Sequence, residues 1–180
     1  MRRAALPIRS GFVPGRHEKL DPVHELLAIE AIKRLKARYA RALDTKDWST
    51  LASLFTPDAR STYNDGIFAF EGRDAIIEFL EGALGSTDIV HLHQAHTPDI
   101  EITGPDSARG SWYLEDTVIN SKTSTEHSPG RTVMTGTGVY FDDYVRVDGE
   151  WLIANTGYER IYEYTVPYHP EAELKTRWNR

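Results

Sequence analysis

His91, His93 and His96 lie close together in a stretch of alternating apolar and polar residues. On a strand, His91 and His93 share a face, and strict alternation sends His96 to the other. Two imidazoles on one face can share a metal ion if a carboxylate completes the shell. A closed site takes four ligands, however, and fewer than four convincing ones are visible, so no metal is assigned. The chain contains no cysteine, which removes disulfides, thiolate metal sites and cysteine nucleophiles. The chemistry left is proton movement by imidazole, which needs no cofactor but does need a partner that fixes the ring and a dry place to work.

The elements that must supply these begin upstream. Ala28, Ile32, Leu35, Tyr39 and Leu43 recur at intervals of three and four, with Glu30, Lys33, Arg34, Lys36, Arg38 and Arg41 on the remaining circumference. This is the pattern of a helix lying on an apolar surface, its charged run a solvated face. Asp21-Pro22 is a start signal, and Asp44-Thr-Lys-Asp47 a stop followed by a fresh cap, so the helix is expected over 22–43. Trp48, Leu51, Leu54 and Phe55 restart the period in a short second helix. Asn64-Asp-Gly66 is turn chemistry between two short strands, and Glu71 to Leu80 reads as a third helix ended by Gly82 and Gly85. From Ile89 the period becomes two, predicting long strands over 89–102, 107–119, 131–147 and 150–164. Gly104-Pro-Asp and Asp148-Gly149 supply tight turns, and Gly136 and Gly138 are plausible bend points. Helices first and antiparallel strands last is an α+β arrangement, a cone-shaped curved sheet with the N-terminal helices closing its mouth.

The expected organisation is a flexible basic arm (1–20), one domain (21–165) and a C-terminal tail (166–180) that wraps a neighbour or hangs free. A formal charge of -6 disfavours nucleic acid and anionic membranes as partners. No stretch approaches the roughly twenty apolar residues of a membrane span, and the first twenty lack a signal-peptide core, which gives a cytoplasmic address as the default. Val133, Val139 and Phe141 on the outer sheet face want covering, so a homodimer or homotrimer is expected.

One string resembles a known family. Tyr39, Asp44, Asp47-Trp48, Leu51, Leu54-Phe55 and Asp58-Ala59 are followed by Glu71-Gly-Arg-Asp74-Ala-Ile76, His93-xx-His96-x-Pro98, Trp112-x-Leu-Glu-Asp116, Tyr140-xxx-Tyr144 and Asp148-Gly-Glu-Trp151. Together they look like the SnoaL-like branch of the nuclear transport factor 2-like superfamily, over about residues 22–163. That branch includes scytalone dehydratase and bile-acid 7α-dehydratase. The resemblance implies the cone fold and suggests four catalytic residues: Tyr39 and Asp44 from the helical corner, His93 from the first long strand and Arg160 from the last. Where scytalone dehydratase has a second histidine on the next strand, this sequence carries Trp112, so a two-histidine mechanism is not implied.

Physically, Asp44 would orient His93 through one ring nitrogen and leave the other to move a substrate proton. Tyr39 would donate its hydroxyl to a carbonyl or a departing hydroxyl, and Arg160 would hold a carboxylate or enolate. Phe55, Tyr63, Phe68, Phe70, Trp112 and Tyr140 are candidate walls for a hydrophobic ring system. Structural readings stand beside these. Tyr39 could pack as core, Asp44 cap a helix end, His93 be a satisfied core histidine, and Arg160 pair with neighbours on the Glu159 side or with Asp143 in a surface ladder. Tyr39 and Asp44 are about 140° apart on a continuous helix and converge only if it breaks before Asp44. The expected activity is a cofactor-independent lyase or isomerase acting on a small hydrophobic cyclic molecule such as a steroid, polyketide or aromatic. The alternative is a non-catalytic binding or assembly module, including a ring-hydroxylating dioxygenase small-subunit-like role.

Overall fold

A computed structural model describes residues 21–122, 130–169 and 171–179; the basic arm expected over 1–20 lies outside the described residues. Helix α1 runs Pro22–Thr45, with Asp21 as its cap and Pro22 in the first turn. Lys46 ends it in the left-handed conformation at φ 60°, its N–H turned back to the carbonyls of Ala42 and Leu43. Asp47 then caps α2 (Trp48–Ser53) by accepting from the Thr50 N–H at 3.0 Å. Strands β1 (Phe55–Tyr63) and β2 (Phe68–Glu71) form the expected hairpin. Asn64, Asp65 and Gly66, all at positive φ, make its turn. Helix α3 (Arg73–Leu84) starts two residues later than its pattern implied and runs through Gly82.

Four long strands follow: β3 (Ile89–Gly104), β4 (Ser107–Asn120), β5 (Thr132–Val147) and β6 (Glu150–Pro167). They pair as an antiparallel meander, and β1 docks parallel to β6, giving one open, curved sheet in the order β2-β1-β6-β5-β4-β3. The concave face is apolar because alternate residues point into it; Trp112, Leu114, Tyr140 and Ile153 are buried there against Ile32, Leu35, Tyr39 and Leu43 of α1. Burying such side chains is the main favourable contribution to the fold, each worth roughly 1.5–3 kcal/mol. Gly138 lies at a register shift opposite β6, as a bend point should. Gly136 has another reason: a Cβ there would run into the Arg160 guanidinium and the Asp116 carboxylate. Beyond β6 the chain returns to its own body, with Thr176 buried and the Lys46 ammonium 5.0 Å from the Trp178 ring centroid.

Candidate active site

Between α1, α3 and the concave sheet lies a cavity of ≈ 170 Å³. Tyr39, His93, Asp116, Tyr140, Tyr158 and Arg160 line its polar side, and Leu43, Phe68, Phe79, Leu80, Val118 and Met134 its apolar side. Of the four residues expected to carry chemistry, Tyr39, His93 and Arg160 reach this space directly. Asp44 does not. Because α1 continues to Thr45, Asp44 is turned away from Tyr39 and toward β3, and it acts on the cavity only through His93.

That linkage is close. Asp44 Oδ1 accepts from His93 Nδ1 at 2.7 Å, and Oδ2 accepts from the His93 backbone N–H at 2.9 Å. With Nδ1 spent on the carboxylate, a neutral His93 ring must expose an unprotonated Nε2, its one uncommitted nitrogen. Asp44 Oδ1 also accepts from His91 Nδ1 at 3.1 Å. Lys46 sits 3.3 Å from His91 Nε2, and its ammonium also donates to the carbonyls of Leu84 and Ile89. An ammonium can only donate, so it fixes His91 as acceptor at Nε2 and donor at Nδ1. Burial, aided by the charges of His93 and Lys46, holds the His91 pKa below its ordinary value against the opposing Asp44 hydrogen bond. Burial alone would raise Asp44, but the hydrogen bonds from His91 and His93 outweigh it and leave its pKa below the usual carboxylate range.

Asp44, His91 and His93 present ligand atoms within 4.8 Å of one another. The set offers three ligands, and one, the Asp44 oxygen, already bridges two imidazole N–H groups. The adjacent Lys46 charge further opposes a divalent cation. The cluster is built to hold protons in place.

Tyr39 is buried, its ring edge-on to Phe55 and Tyr140 at 5.9 and 6.3 Å. Burial, first, and the neighbouring Tyr140 push its pKa well up, so its hydroxyl stays a neutral donor. Tyr63 and Tyr140 are raised mainly by burial too. The Tyr63 hydroxyl is buried without a hydrogen-bond partner.

The profile of the SnoaL-like domain matches residues 24–156. The chain belongs to the SnoaL-like family. Among solved structures, this SnoaL-like chain is similar to the "Putative Scytalone Dehydratase" of Novosphingobium aromaticivorans, at 26% identity and TM-score 0.69, over 83% of this chain and 93% of that one. It shares its fold with the hexachlorocyclohexane dehydrochlorinase LinA-type3 of Novosphingobium barchaimii, at 18% identity and TM-score 0.69, over 83% and 99% of the two chains. Among curated proteins it is 21% identical to "Probable cyclase FGR4" of Gibberella zeae, over 75% of this chain and 92% of that protein.

Three of the expected walls in this SnoaL-like chain lie elsewhere. Trp112 is buried deeper and donates its indole N–H to the Tyr144 hydroxyl at 2.9 Å. Phe55 packs behind Tyr39, and Phe70 stacks on the outer side of Phe79 at 4.4 Å. Tyr63, Phe68 and Tyr140 do line the cavity. The residue opposite His93 on the next strand is Asp116 rather than Trp112. Asp116 takes a two-pronged hydrogen bond from Arg160, Nη1 to Oδ1 at 2.6 Å and Nη2 to Oδ2 at 2.8 Å. These contacts outweigh the burial of Arg160 and raise its pKa further. Sequence reasoning quoted Asp116 without giving it a role. Its parity was the available signal: it shares a face with Trp112 and Leu114, where an acid needs a reason.

Proposed function

We propose that this protein is a cofactor-independent lyase or isomerase that moves a proton beside a carbonyl group of a small cyclic molecule. His93 Nε2 takes the proton, and Asp44 fixes the ring and stabilises the imidazolium that forms. Tyr39 donates its hydroxyl to the carbonyl oxygen as negative charge develops there. If a hydroxyl stands β to the carbonyl, the protonated imidazole returns the proton to it and water departs; if instead a double bond lies β,γ to the carbonyl, the proton returns at the γ carbon and the double bond moves into conjugation. The observation that carries this reading is the one free nitrogen of His93, on a residue that lines an aromatic-walled cavity, while every other polar atom of the Asp44–His91–Lys46 cluster behind it is engaged. The dehydratase and cyclase names of the similar proteins support the reaction class.

An apolar cavity of about 150 Å³ holds a benzene ring. The ≈ 170 Å³ here therefore surrounds one ring with short substituents, and a fused four-ring steroid would have to extend out of the cavity mouth. Arg160, already held by Asp116, serves as a polar wall rather than a clamp for a carboxylate. The outer sheet face, with Tyr113, Phe141, Tyr162 and Tyr164 about half exposed, supports self-association, which sedimentation of the pure protein would reveal as a mass above 20.4 kDa.

The test is turnover of single-ring β-hydroxy ketones, followed by the ultraviolet absorbance of the enone product. His93→Ala and Asp44→Asn should each lower kcat by roughly 10²- to 10⁴-fold with folding intact. Undiminished turnover in both variants would remove the proposal.

A further inference from the structure

The Arg160–Asp116 pair is unusual in placement. Both side chains are nearly buried, 9% and 4% exposed, yet both line the cavity beside His93. The geometry is prepared by the backbone: the pair lies across Gly136, where any Cβ would displace it. Of the five guanidinium N–H groups, Asp116 occupies two. Glu163 stands 3.2 Å from Nε without the alignment of a hydrogen bond, leaving that buried donor unpaired. The guanidinium thus keeps donors for a neutral acceptor, but its charge is already cancelled at the cavity wall. The tyrosines around it are uncharged; of the other acids, Asp44 stands behind His93, and the half-exposed Glu163 adds further negative charge beside Nε.

We propose that Asp116 is a specificity-determining residue: by neutralising Arg160 it restricts the cavity to uncharged carbonyl compounds and excludes carboxylates. An anion entering the space would meet the Asp116 carboxylate at close range in a poorly hydrated site, and like charges there repel far more strongly than in water. A ketone oxygen meets the spare guanidinium N–H groups at no such cost. The inference rests on the cavity being where substrate binds, and it concerns binding rather than proton transfer.

Acetophenone and benzoate are nearly the same size and shape and differ chiefly in charge, which makes them the probes. Calorimetric or thermal-shift titration of the wild-type protein should favour acetophenone over benzoate by at least tenfold. Asp116→Asn removes the negative charge and keeps an amide beside Arg160, so benzoate should gain at least tenfold relative to acetophenone. The added Arg160→Gln exchange should abolish that gain. If Asp116→Asn does not fold, as circular dichroism would show, Asp116→Ser carries the same expectation. Lack of any benzoate gain in the folded variant, or benzoate binding to the wild type as well as acetophenone does, overturns the proposal. Because the readout is binding, it can fail while His93 remains the base, and it can succeed while His93 proves inert.

Discussion

Two buried ion pairs hang from neighbouring strands of the same sheet, and they are built on opposite terms. At the closed end of the cone, Lys36 Nζ donates to Asp142 Oδ2 at 2.7 Å, with the side chains 1% and 0% exposed. Tyr144 and Thr156 donate to the same carboxylate at 2.6 and 2.7 Å, and the ammonium lies 3.5 Å from the Tyr140 ring centroid. Burial drives the Lys36 pKa down and Asp142 resists it. The Asp142 carboxylate holds three donors, the ammonium is shared between it and the Tyr140 ring, and neither charged side chain lines the cavity. At the other end, Arg160 and Asp116 form as tight a pair, yet guanidinium donors remain unspent and both residues face the cavity. Burial of charge alone does not mark function. Hydrogen-bonding capacity left over beside a cavity does, because an unpartnered buried group is costly unless a ligand uses it.

The sharpest way to break this contrast is to remove one partner from each pair. Lys36→Met strands the Asp142 charge in the interior and should cost about 3–5 kcal/mol of stability. For a chain of this size that lowers Tm by roughly 6–20 °C, read by calorimetry. Arg160→Gln should cost less, roughly 1–3 kcal/mol, because the glutamine amide still offers Asp116 a hydrogen-bond donor. Equal losses would mean that the two pairs do the same structural work. Tyr39→Phe separates structure from chemistry on α1: it should lower kcat by roughly 10²-fold while Tm moves little, whereas a large Tm loss with normal kcat would make Tyr39 a packing residue.

The smallest expected effect lies in the acid limb of stability. His91 has a folded-state pKa below its ordinary 6.5, so the unfolded chain binds the proton first. Stability is therefore flat above about pH 6.5 and falls as pH drops from there toward the folded value. Asp44 is also depressed, so its contribution is complete above its ordinary 3.8 and is lost as pH falls through the lower folded value. Urea titrations from pH 8 to pH 4 should show the first loss in wild type and its absence in His91→Gln. An unchanged slope in that variant would assign the effect to other groups.

Most of the fold could be read from periodicity. The expected long strands and those in the structure differ by at most three residues at an end, because half-buried strands alternate strictly. The sheet order, including the parallel docking of β1 on β6, depends on contacts between distant segments that no local pattern encodes. The site was legible in part. Tyr39, Asp44, His93 and Arg160 were singled out by resemblance; the Asp44–His93 link was expected and is present, whereas the links of Asp44 to His91 and of Arg160 to Asp116 were not. Helix α1 does not break before Asp44; the left-handed turn at Lys46 comes after it, so the carboxylate turns toward β3. Asp116 was overlooked because its partner lies on β6, 44 residues away, and only cross-strand register brings the two together. Trp112 and Phe55 illustrate the converse: large aromatics at inward positions fill the core as readily as they line a hollow.

The central claim is that His93 Nε2 moves a proton at carbon beside a carbonyl. Its most direct measurement is α-proton exchange of cyclohexanone and acetophenone in D₂O, followed by proton nuclear magnetic resonance. Wild-type protein should wash deuterium into the α position faster than the buffer blank, and His93→Ala should reduce that excess by about 10²-fold or more. Exchange that never rises above the blank with either ketone, or that persists undiminished in His93→Ala, would contradict the assignment.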